Sequence, residues 1–139
     1  MIDSERNLIL DKACRALAAA LPDAWAVYVY GSFARGDEWP DSDLDLAVLL
    51  PPRAELQDKL TLIAEVSQQV GREVDIVSLR SASLDLVHEL LREGRPLLVR
   101  RAGDVLGWEA ERMTDYADFS PRRADILAQY LHEPLRRSS

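Results

Sequence analysis

The chain has 139 residues, 47% of them hydrophobic and 29% charged, with a formal net charge of −7. That length reads as one domain able to bury a core without disulfides or a structural metal, and the composition excludes a disordered or collagen-like chain. No apolar run approaches the roughly 20 residues that cross a bilayer, the single Cys14 excludes an internal disulfide framework and a cysteine-built zinc site, and the acidic balance argues against non-specific nucleic-acid binding, which depends on Lys and Arg neutralising phosphates.

Asp3 and Glu5 precede any hydrophobic segment, so the N-terminus does not read as a secretory signal and a cytoplasmic address is expected. From Asp3 to Leu21, Leu10, Ala13, Cys14, Leu17 and Leu21 recur at helical spacing and Pro22 follows. Trp25 to Tyr30 is rich in aromatic and β-branched residues and runs into Gly31-Ser32, which predicts a strand ending at a tight turn. Phe33 to Ser42 reads as a short helix or loop. Within it Asp37, Glu38 and Asp41 are expected to form a solvated acidic stretch, and Trp39 to pack on the core edge.

Asp43 to Leu50 alternates at its start and then becomes wholly apolar, as an inner strand does. Pro51-Pro52 breaks it. Leu56, Leu60, Ile63, Ser67 and Val70 follow at helical spacing, with Gly71 placed for a left-handed cap. Glu73 to Leu79 alternates again. Ser81 to Glu93 predicts a helix closed by Gly94, and Pro96 to Arg100 a short edge strand. Asp104 to Tyr116 is weakly periodic, and Ser120-Pro121 is a helix start. The expected architecture is α/β (α+β), in the order α-β-β-α-β-α-β-α-α. It is a mixed β-sheet with helices mainly on one face, a single domain over 1–139 whose residues 104–139 form a helical C-terminal tail.

Three features bear chemistry. Gly31-Ser32 closes a strand: glycine lets the backbone approach a ligand, and serine offers a hydroxyl and an amide to phosphate oxygens. Asp43 and Asp45 are two apart on a strand and converge on one side. Adjacent carboxylates repel, and a divalent cation relieves them; Mg²⁺ takes one or two carboxylates plus substrate phosphates. Asp75, on the next predicted strand, also faces away from its apolar neighbours. Side by side, the three would surround a two-metal site suited to in-line displacement at phosphorus. A lone Asp-x-Asp could equally be a turn and a solvated residue; its weight comes from the Gly-Ser before it and the third aspartate after it.

The runs Gly31-Ser32-Phe33-Ala34-Arg35-Gly36, Ser42-Asp43-Leu44-Asp45-Leu46 and Glu73-Val74-Asp75-Ile76-Val77 resemble the DNA polymerase β-type nucleotidyltransferase superfamily. The short length and the Ala-Arg-Gly extension resemble its minimal nucleotidyltransferase (MNT) branch, commonly the antitoxin half of HEPN/MNT toxin–antitoxin pairs. The resemblance is strongest from Trp25 to Leu79. It implies a nucleotidyltransferase palm, with Asp43 and Asp45 holding two Mg²⁺ ions. Asp75 would bind the metal nearest the acceptor and help deprotonate its hydroxyl. Gly31 and Ser32 would hold the nucleotide triphosphate, and Arg35 would contact phosphate unless it pairs with Asp37 or Glu38. The implied reaction moves AMP from ATP to a tyrosine of the HEPN ribonuclease toxin and silences it. Two other readings stand beside this one. A small-molecule, aminoglycoside-type nucleotidyltransferase would need a further helical domain for which the chain has little room. A binding module neutralising its partner by contact alone would survive loss of Asp43 and Asp45.

Overall fold

The computed structural model describes residues 2–116 together with Asp125 and Gln129. Nine elements follow in order: α1 (Asp3–Ala20), β1 (Ala26–Tyr30), α2 (Ser32–Arg35), β2 (Leu44–Leu49), α3 (Lys59–Val70), β3 (Val74–Ser78), α4 (Leu84–Glu93), β4 (Arg95–Val99) and α5 (Ala102–Tyr116). The strands form one mixed sheet in the order β3-β2-β1-β4. β1 runs antiparallel to β2 and β4. β2 and β3 are parallel, so α3 is the crossover helix that a parallel pair requires.

Alternation along the strands divides the core in two. Val27, Val29, Leu44, Leu46, Val48, Val74 and Ile76 face Ala13 and Leu17 of α1 and Leu62 and Val66 of α3. Ala26, Tyr28, Ala47 and Leu49 face Val87 and Leu90 of α4 and Val105 and Trp108 of α5. The mixed sheet is the one expected from the sequence. To the helices of the first face the structure adds a second layer, α4 and α5, over part of the other. Under that layer the fully buried Glu109 accepts a hydrogen bond from the Tyr28 hydroxyl at 2.8 Å.

The strand ends lie within one or two residues of the predicted limits because the apolar runs are sharply bounded. β4 is an edge strand, with Pro96 near its start, as expected from the missing N–H. Gly71 caps α3 in the left-handed conformation, φ 82°. The last turn of α1 carries no basic residue of its own; Arg100, after β4, supplies the cation, donating to the carbonyls of Ala18 at 3.0 Å and Leu21 at 2.8 Å. Cys14 is a free thiol within α1. The helix expected after Ser120 lies outside the described residues. Among the described residues no helix is long and apolar enough to cross a membrane.

Candidate active site

The C-terminal end of β1 and the N-terminal ends of β2 and β3 meet at one end of the sheet. Tyr30, Asp45 and Asp75 are successive partners across these three strands. Neighbouring strands are about 4.8 Å apart, so the two aspartates project side by side from adjacent backbones. They stand on the face that carries Ala47 and Leu49 farther along β2, beyond the reach of the apolar cover. Asp43, exposed and two residues before Asp45, joins them from the mouth of β2. The three predicted aspartates are thus brought to one end of the sheet by register and alternation.

Gly31 makes the turn out of β1 with φ 71° and ψ −151°, a conformation that disfavours any side chain. A Cβ there would also collide with Oδ2 of Asp45. Ser32 then opens α2, whose four residues close on Gly36 in the left-handed conformation. The Gly31-Ser32 turn and the Asp45 carboxylate are therefore in direct apposition. From the sequence this glycine is expected to let the backbone approach a ligand; what the structure sets against it is the Asp45 carboxylate.

Electrostatics mark the same place. Half-burial raises the Asp45 carboxyl above the ordinary carboxylate range, and Asp75, Asp43 and Glu89 raise it further; Arg35 opposes them. Burial, then the charges of Asp45, Asp75 and Glu89, push the Tyr30 phenol above its ordinary value. Among the described residues no three His, Cys, Asp or Glu side chains stand close enough to hold a metal ion by themselves. The donors nevertheless fit Mg²⁺, which needs only one or two carboxylates when substrate phosphates complete its shell. A cation here would relieve the repulsion that raises Asp45.

Arg35 is exposed and makes two ion pairs, with Asp37 at 3.1 Å and Glu93 at 3.3 Å. Of the two pairings considered from the sequence, Asp37 is found and Glu38 is not. Glu38 instead points inward with 2% of its side chain exposed, and both its oxygens accept from Arg6 of α1, at 2.9 and 3.1 Å. The expected solvated acidic stretch therefore loses Glu38, because Arg6 lies across the loop to neutralise it. Trp39, expected to pack, is 73% exposed. It stands in a tight turn in which Ser42 N donates to Trp39 O at 3.0 Å and Trp39 N to Ser42 Oγ at 2.6 Å.

Sequence reasoning missed two groups. Arg72 stacks on the Phe33 ring and donates to the carbonyls of Ser42 at 2.7 Å and Pro40 at 3.0 Å, fixing the approach to Asp43. Nothing in its neighbourhood in the sequence marks it. Glu89 and Glu93 come from α4; their spacing of four on a predicted helix is a signal that one face is acidic, although not toward what.

Comparison with known proteins gives the chain a family and a fold. The profile of the family described as polymerase beta, nucleotidyltransferase matches residues 12–102. The chain is 28% identical over 117 residues to protein adenylyltransferase MntA of Shewanella oneidensis, covering 84% of each chain. A structure described as a toxin-antitoxin with AMP-PNP superposes with a TM-score of 0.69 at 24% identity, over 88% of this chain and 98% of that one. A complex of tri-AMPylated Shewanella oneidensis HEPN toxin with MNT antitoxin gives 0.66 at 23% identity, over 91% and 98%. At such identities these two structures speak to the fold.

Proposed function

The chain belongs to the polymerase beta nucleotidyltransferase family, and from that premise we propose that it is a Mg²⁺-dependent protein adenylyltransferase. It transfers AMP from ATP to a tyrosine hydroxyl of a HEPN ribonuclease toxin, in the cytoplasm, and so acts as antitoxin. The observation that carries the reading is the apposition of the Gly31 turn with Asp45, beside Asp75 in the register of β2 and β3. The likeness to a protein adenylyltransferase over 84% of the chain supports protein as the acceptor class.

In this reading the turn at Gly31 and Ser32 receives the triphosphate, and Arg35 exchanges a carboxylate partner for a phosphate oxygen. Asp43 and Asp45 are the residues that would hold two Mg²⁺ ions, with Asp75 sharing the one nearest the acceptor. Bound Mg²⁺ would supply charge neutralisation at the phosphates and a lowered pKa for the attacking hydroxyl. Asp75 takes the tyrosine proton as the phenolic oxygen attacks the α-phosphorus. The bond between the α-phosphorus and its bridging oxygen to the β-phosphate breaks, AMP remains on the tyrosine and pyrophosphate leaves. Arg72 and the Arg6–Glu38 pair hold the loop from which Asp43 projects.

The test is transfer of label from α-phosphate-labelled ATP to a purified HEPN partner with Mg²⁺, comparing wild type with Asp43→Ala/Asp45→Ala. Label on a partner tyrosine, absent with the double variant, is expected. Label on a small molecule alone would replace the proposed acceptor. Undiminished neutralisation of the partner by the double variant would sink the catalytic account in favour of contact.

A further inference from the structure

At the other end of the sheet, about 10 Å along β3 from Asp75 to Ser78 by strand rise, lies a cavity of about 530 Å³. Arg53, Lys59 and Arg80 line it with Ser78 and Ser81; the one carboxylate in its wall is Glu55. We propose that this cavity is an anion site for a phosphate group, separate from the aspartate-bearing end.

None of the three cations is neutralised by an ion pair among the described residues, although Arg72 and Arg100, which likewise form none, are engaged by backbone carbonyls instead. Every ion pair formed by an arginine among the described residues lies elsewhere: Arg53 and Arg80, like Lys59, have no carboxylate partner within ion-pair distance. Arg80 is also held in place before any ligand arrives. Its Nε donates to Leu50 O at 2.9 Å, and its guanidinium lies over the Trp25 ring, 5.0 Å from the centroid. Its Nη2 is buried without an acceptor. A buried cationic donor without an acceptor is a cost, and the charge it leaves uncompensated favours an anion in the adjoining cavity. Arg112 lies close enough to act on Arg80, adding positive charge, while Glu111 acts against it.

The chain geometry around the cavity suits the same ligand. Arg53 adopts φ 68°, which turns the chain out of β2 toward α3. α3 begins at Lys59, whose side chain reaches the same cavity from the first turn of the helix. Ser78 and Ser81, the latter's hydroxyl donating to Ser78 O at 3.4 Å, complete a lining of guanidinium, ammonium and hydroxyl groups, which is the chemistry of phosphate recognition. Inorganic phosphate and the 5′-phosphate of a nucleotide share that chemistry.

The proposal is tested by NMR on the full chain carrying Asp43→Ala/Asp45→Ala, without divalent cations, titrated with inorganic phosphate and separately with AMP. Saturable shifts of the Arg80 Nε–H and the Ser78 and Ser81 amides are expected, and Arg53→Gln/Lys59→Gln should weaken them about tenfold. Lys59 and Arg53 are exposed, so that variant keeps its fold, which the rest of the spectrum verifies. Tighter binding of AMP than of phosphate at these signals would identify a nucleotide as the source, and equal binding a free phosphate. Absence of saturation there, shifts confined to Gly31 and Ser32, or indifference to the Arg53/Lys59 substitutions would overturn the site.

Discussion

Gly31 and Asp45 compete for the same space: a methyl group on residue 31 would overlap Oδ2 of Asp45. The glycine also holds φ 71°, so a substitution meets backbone strain and collision together. Gly31→Ala is expected to cost about 1–3 kcal/mol of stability. It should also displace the carboxylate and lower the rate of AMP transfer about 100-fold, the size of loss that a misplaced reacting group brings. Thermal unfolding and initial rates read the two effects separately. A stable Gly31→Ala protein with normal turnover would show that the apposition is incidental.

Asp45 carries the opposite trade. Its carboxyl is raised in the folded chain by burial and by Asp75, Asp43 and Glu89. A carboxyl whose folded pKa exceeds the unfolded one favours folding when protonated. That contribution is fully present below the ordinary carboxylate range and is lost as pH rises through the raised value. Asp45→Asn should therefore be more stable than wild type at pH 7 without divalent metal. The advantage should vanish below about pH 4. Transfer activity is lost in the same protein. Paired unfolding curves at pH 7 and pH 3.5 decide it, and a variant less stable at pH 7 would contradict the assignment of repulsion.

Arg72 is expected to act through position. Arg72→Met removes its two donations to the loop carbonyls, with a loss of about 1–2 kcal/mol and a fall in kcat of about tenfold. Arg72→Lys should recover little, because a single ammonium does not reproduce a planar fork onto two acceptors. If kcat is untouched while stability falls, Arg72 is structural only.

Arg35 divides its charge between Asp37 and Glu93. In the proposed reaction it leaves a carboxylate for a phosphate oxygen, so Glu93→Gln should lower the KM for ATP two- to fivefold or so, the range of an exposed ion pair. Arg35→Gln should raise it. Opposite movements, measured at saturating acceptor, confirm the exchange; a KM unchanged by either removes Arg35 from the nucleotide site.

Much of this was legible in the sequence because the deciding signals are local. Alternation around Asp45 and Asp75 placed them opposite apolar neighbours, and Gly31-Ser32 after an aromatic strand located the turn. The partners of Glu38 and of the Ser42 carbonyl were not legible. Arg6 is 32 residues from Glu38 and Arg72 is 30 from Ser42, and no periodicity links residues so far apart. Trp39 misled as well: its hydrophobicity favours burial, but it stands exposed in a tight turn whose hydrogen bonds join its backbone to Ser42. The second helical layer was hidden because α5 is only weakly periodic and its buried Glu109 reads as a surface residue until Tyr28 is known to lie opposite.

The parallel pairing of β2 with β3 aligns Leu44 with Val74, Asp45 with Asp75 and Leu46 with Ile76. Side chains alternate every residue, so a slip of either strand by one place would drive an aspartate into the apolar layer under α1 and α3 and turn a leucine or isoleucine out to water. Misregistered chains are thus penalised by the same residues on which the proposed chemistry rests. Proofreading of the sheet is built into its carboxylates: a molecule that reaches the stable fold has already aligned them.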